Sequence, residues 1–155
     1  MRSLLRRPSV NAVCISLFTA FYGLIFILTS GHGEFQDLLY YSRTSNGKAS
    51  FLKSFSSFLA AGHQAYIAYA LIAITIVVVV LLLIRRHPYD EYHISLLSGC
   101  LAVAVVLTMI AIAIFYLAIL SESNGIVEKF TLFITIHWTV VVLADLSFVL
   151  LCRWR

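Results

Sequence analysis

The stretch AYALIAITIVVVVLLLI, residues 68–84, decides the fold class. Nothing in it is more polar than Tyr69 and Thr75, and with the residues before it a single apolar segment runs over 59–84. A bilayer core about 30 Å thick needs roughly 20 mainly apolar residues in a helix. Three more segments reach that length, at 11–30, 93–120 and 130–152. None alternates with the period of two that a half-buried strand shows, and lipid admits only helices or closed barrels, so all four are read as helices. Composition points the same way. Of 155 residues 61% are apolar, only 11 are Lys or Arg and 7 Asp or Glu, and mean hydropathy is +0.97, whereas a soluble domain carries about 25% charge. The expectation is an all-α integral membrane protein with one domain over 1–155: an up-down-up-down four-helix transmembrane bundle with short amphipathic helices in the first outer loop, 31–58.

Charge sets the direction. With the N-terminus inside, the cytoplasmic segments hold Arg2, Arg6, Arg7, Arg85, Arg86, Arg153 and Arg155, against Arg43, Lys48, Lys53 and Lys129 outside. An excess of cations marks the cytoplasmic side, so both termini are expected there, in a plasma or inner membrane. Tyr89, Tyr92 and Trp154 fall where an inner aromatic belt would lie. The first apolar run is longer than the roughly 7–15 residues of a signal-peptide core and is expected to remain as a helix. The basic balance, +4, follows from this topology and gives no support to nucleic-acid binding.

The long first loop carries two helical stripes with polar backs. Phe35, Leu38 and Leu39 follow the i, i+3, i+4 spacing, and Phe51, Leu52, Phe55, Phe58 and Leu59 continue it after the break at 44–47. Two short helices either lie along the outer membrane surface or fold over the mouth of the bundle as a lid.

Ionisable residues at membrane depth are costly and mark candidate sites. His63 near the outer start of the second span and His137 about two turns into the fourth are expected at comparable depths, a placement that suits a bis-histidine haem b or an interhelical bond from each imidazole. Asp145 lies eight residues beyond His137 on the same helix. An ionised carboxylate there either finds a partner or takes up a proton; the candidate partners are Thr108, at a matching depth on the third span, and an inner arginine snorkelling toward it. Asp145, His137, Tyr66 and Tyr116 together make a candidate proton or ion relay toward the outer acidic residues Glu34 and Asp37. Its alternative is a staple that fixes helix rotation. His32, Glu34 and Asp37, with Tyr40, Tyr41, Glu122, Glu128 and His63, form the outer mouth, which is either a cation site of undetermined metal or a solvated rim.

The inner turn at 85–91 reads more simply, with arginines for anionic headgroups and Asp90 as N-cap of the third span. Cys14, Cys100 and Cys152 provide no disulfide framework, and Cys152 beside Arg153 is the one acylation candidate. Small residues allow close helix approach at Ser95 and Gly99 and at Ala61, Ala65 and Ala68.

There is no nucleophile-base set at one depth and no glycine-rich phosphate loop, so an enzymatic role would rest on two histidines and one aspartate. The leading expectation is therefore a non-enzymatic accessory, assembly or partner-binding subunit of a membrane complex, in contact with lipid and with other subunits or copies of itself. A haem b or quinone-associated redox subunit using His63 and His137, and an oligomeric transporter or channel using Asp145 and His137, are the alternatives.

Overall fold

A computed structural model describes residues 7–44, 50–84, 90–121 and 125–153. The chain forms α1 (Pro8–Ser30), α2 (Gly33–Thr44), α3 (Ser50–Ala60), α4 (Gln64–Ile84), α5 (Glu91–Ser121) and α6 (Ile126–Arg153), with no strand among the described residues. Four of them, α1, α4, α5 and α6, are long and apolar enough to cross a membrane. The inner-loop residues 85–89, Glu122 and Trp154 lie outside the described residues.

The second span begins five residues later than the apolar pattern suggests, because Leu59 and Ala60 belong to α3. Gly62 takes φ 74°, its N–H bonds the carbonyl of Leu59 at 2.8 Å, and the His63 N–H bonds that of Phe58 at 3.3 Å. That paired arrangement ends a helix through a left-handed residue, where a side chain is strained and glycine is not. The rings of Phe58 and His63, 5.1 Å apart, close the same cap. The fourth span begins earlier than expected, at Ile126, after a second left-handed glycine, Gly125.

Inside lipid, helices gain little from apolar burial and associate through close packing and interhelical hydrogen bonds. The helices α1 and α4 pack tightly at Gly23, where an added Cβ would stand 2.6 Å from Ile72 Cδ1. Trp138 of α6 fills the space beside them, with Phe26, Ala68, Leu71 and Val142 around it. A second cluster of Val78, Leu97, Phe148, Val149 and Cys152 closes the far end. Cys152 is thus a packing residue, 9% exposed, and the acylation reading is withdrawn because its thiol faces helices.

The helix α5 stands apart. It packs along α6 and, among the described residues, meets α4 in the cluster around Leu97, so α1, α4 and α6 form a trio with α5 on its outside. The share of the span that is buried is 6% for α5, against 22–28% in the other three. Among the described residues nothing lies within 4 Å of a Cβ added at Gly99, so no helix is drawn close at that glycine. At the other end of the trio, α2 and α3 pack on each other and touch α6, burying Leu39, Ser56 and Leu59.

Asp90 starts α5 as the sequence suggests. Its Oδ1 accepts the His93 N–H at 3.0 Å and meets the His93 ring Nδ1 as well. These bonds hold its carboxyl below the ordinary carboxylate value, the backbone bond contributing most. A carboxyl lowered in this way supports the helix start at any pH above about 4. Support is lost as pH falls through its lower folded value. The protection factor of the His93 amide, its exchange relative to an unstructured amide at the same pH, should therefore fall on acidification below about pH 4 in the native chain and be low at all pH values in Asp90→Ala.

Candidate functional site

Asn11, Thr19, Gln64, Thr75, Trp138 and Asp145 lie along the faces where α1, α4 and α6 meet. At one level the Asn11 amide Nδ2 donates to Asp145 Oδ1 at 3.0 Å, joining α1 to α6. Asp145 is 2% exposed, and its other oxygen, Oδ2, has no hydrogen-bond partner among the described residues. A gap lined by Ile15, Thr75, Val78, Val79 and Val142 adjoins Asp145 and has no room for a water molecule. Thr108 of the outlying α5 is not the partner of this carboxyl, because Asp145 points into the trio and Asn11 reaches it first.

Further along the seam, Thr75 Oγ1 donates to the carbonyl of Leu71 at 2.8 Å and meets Thr19 Oγ1 at 3.3 Å. The Trp138 Nε1–H donates to the same Thr19 hydroxyl at 3.4 Å, so one oxygen of α1 ties α4 and α6 together. At the opposite end of the seam Gln64, 1% exposed, closes the last polar step. Oriented to match its neighbours, its amide donates to the carbonyl of Leu59 at 3.0 Å and accepts the Ser30 N–H at 3.2 Å. Three levels of hydrogen bonds thus join α1 to its neighbours, and two of them involve α6.

The two histidines stand in separate clusters. His63 lies between Phe58 and Tyr66, its centroid 5.1 and 5.7 Å from theirs, on an exposed face. His137 lies between Phe133, stacked at 6.3 Å, and the edge of Tyr22 at 6.1 Å. Residue numbers rise together along α4 and α6, since Trp138 packs by Ala68 and Leu71 and Phe148 by Val78. His137 is therefore level with about residue 71 of α4, and His63 stands about 12 Å away along the axis at 1.5 Å per residue. The expectation of equal depth is corrected: one iron does not reach both imidazoles from these positions.

The relay residues are likewise dispersed. Tyr66 and Tyr116 stand outward, 67% and 61% exposed, and among the described residues no hydrogen bond joins His137 to Asp145, whose neighbours are Asn11 and the gap. His32, Glu34 and Asp37 are exposed, and among the described residues no three His, Cys, Asp or Glu side chains gather as metal ligands. Glu128 departs from the solvated rim expected of it, being fully buried beside Lys129, which is 8% exposed.

No protein-family model, no curated protein and no solved structure matches this chain. Its chemistry is read from its own residues. The sequence missed Asn11, Thr19 and Trp138 as members of the seam. A usable clue was there: Asn11 and Asp145 are the two amide or carboxylate residues assigned to the inner halves of spans.

Proposed function

We propose that the protein is a non-enzymatic membrane subunit that binds a helix of another membrane protein along α5. The observation that carries this reading is the placement of α5, which is covered on one side by α6 and bare on the other, while α1, α4 and α6 are tied to one another by hydrogen bonds. The bare side presents Val106, Met109 and Tyr116, each 59–61% exposed. A trio tied together by hydrogen bonds does not need the outer face of α5, which is therefore open to a partner. Haem between His63 and His137 lacks support from their positions, and a water-filled path past Asp145 lacks support from the gap beside it.

In this reading the spans run up-down-up-down with both termini on the cytoplasmic side of a plasma or inner membrane, as the distribution of arginine favours. The helices α2 and α3 then cover the outer end of the trio, in keeping with the burial of Leu39 and Leu59.

A photo-reactive amino acid placed at Met109 in native membranes should form a discrete adduct with one other membrane protein. The same probe at Ile76 of α4, 58% exposed, serves as the comparison. Equal labelling from both positions, or lipid adducts alone from Met109, would remove the subunit reading. An adduct at twice the mass of the chain would instead make the partner a second copy.

A further inference from the structure

The two oxygens of Asp145 have unequal surroundings. Oδ1 accepts the Asn11 amide at 3.0 Å, whereas Oδ2 has no hydrogen-bond partner among the described residues, on a residue 2% exposed. An ionised carboxylate has only acceptor sites, about four of them. A charged Asp145 would thus keep a bare anionic oxygen inside the bundle, which is costly.

The gap beside it offers no remedy. Ile15, Val78, Val79 and Val142 are apolar, and no water fits among them. Thr75 is the other polar side chain lining the gap among the described residues, and its hydroxyl hydrogen is committed to the Leu71 carbonyl at 2.8 Å. Its oxygen therefore has lone pairs to offer and no donor. Cations do not compensate either. Against Asp145, α1 and α4 set Asn11, Ile15, Thr75, Val78 and Val79, none of them titratable, and α5 sets the Cys100 thiol, which senses its charge but is never positive. The Arg7 side chain, one turn before Asn11, is exposed and does not bond Asp145. On α6 the nearest titratable residues are Cys152, seven positions on, and His137 and Arg153, eight positions to either side.

We propose that Asp145 is a proton-binding site, neutral in the assembled bundle with its proton on Oδ2, and that seating α6 against α1 takes this proton up from water. In that form Oδ2 becomes a donor beside a gap whose polar atom is an acceptor, and Oδ1 still accepts from Asn11. The proton is held and not conducted, because the gap contains no water to pass it on. Assembly is then linked to pH. An aspartate in water gives up its proton near about pH 4. Above that pH the folded chain holds a proton that the separated helices have lost, so raising the pH favours separation by about tenfold per unit.

Infrared spectra of the full chain reconstituted in lipid test the site directly. Aspartate occurs at positions 37, 90 and 145, and Asp37 and Asp90 are exposed. At neutral pH the native protein should show the carbonyl stretch of a protonated carboxyl. That band should move when aspartate carries a heavy carbon isotope in its carboxyl, and it should vanish in Asp145→Asn. The variant places an amide donor where Oδ2–H stood and should keep the bundle intact. In titrations into sodium dodecyl sulfate, the ratio of folded to separated chain should fall about tenfold more per pH unit in the native protein than in Asp145→Asn, between about pH 5 and 7. Carboxylate bands alone, or a band that ignores the label, overturn the proposal, as does the same pH dependence in both proteins. If Asp145→Asn does not fold, the labelled native spectrum alone decides.

Discussion

Replacing Trp138 with alanine is expected to weaken the association of α1, α4 and α6 by about 2–3 kcal/mol. In water-soluble cores the same change costs about 3–5 kcal/mol, as lost transfer energy plus a cavity. Here the reference state is separated helices in lipid, where the transfer part largely cancels and the lost packing remains. That part is large because the indole, 2% exposed, lies 5.4 Å from the Phe26 ring and 5.9 Å from Tyr22, and meets Gly23, where α1 packs tightly against Ile72 of α4. Its hydrogen bond to Thr19, at 3.4 Å, contributes less. Thr19→Val should therefore cost about 0.6 kcal/mol, the average for such bonds in membranes. Leu117→Ala, at a site 67% exposed on α5, should cost nothing measurable. Titration of reconstituted protein from mild detergent into sodium dodecyl sulfate, followed by helical signal, gives all three. A loss below about 1 kcal/mol for Trp138→Ala would mean that the trio is centred elsewhere.

The spans were legible because their evidence is additive: seventeen consecutive residues without a charge, as at 68–84, leave no other state for the chain. Boundaries were less so. The apolar stripe of α3 continues through Gly62 into α4, and the stop between them is a backbone event, which hydropathy does not record. This had a direct consequence for the histidines. Moving the start of α4 from 59 to 64 and that of α6 from 130 to 126 shifts both imidazoles in opposite senses relative to their helix starts, and the apparent match in depth disappears.

Rotation was harder still. In α4 and α5 nearly every position is apolar, so the sequence does not show which face meets which neighbour. That choice falls to a few small or polar residues such as Gly23, Thr75 and Asp145. The staple reading of Asp145 was therefore open from the sequence, but its partner was not. Asn11 sits at the edge of a span where an amide is unremarkable until α6 is laid against it.

The bond between these two residues gives the second large effect, and its asymmetry distinguishes a staple from a freely solvated carboxyl. Asp145 is 2% exposed and receives only Asn11 among the described residues, whereas Asn11 is half-buried and within four residues of Arg7 at the boundary of the span. Removing the donor in Asn11→Leu strands a buried polar group, at about 1–3 kcal/mol, since the adjoining gap admits no water. Removing the acceptor in Asp145→Leu leaves an amide that can turn toward the headgroups, so this single change should cost less. The double variant should regain part of the loss, with a coupling near 0.6 kcal/mol and at most about 1.7 kcal/mol, the span measured for interhelical bonds in membranes. The same detergent titration measures the cycle. Equal costs for the two single variants, or zero coupling, would mean that Asp145 has another route to a partner and is not held by α1. If the predicted asymmetry is found, the double variant becomes the useful reagent. It removes the carboxyl while preserving the trio, so any adduct formed from Met109 of α5 should persist in it, and loss of that adduct would tie partner binding to Asp145 itself.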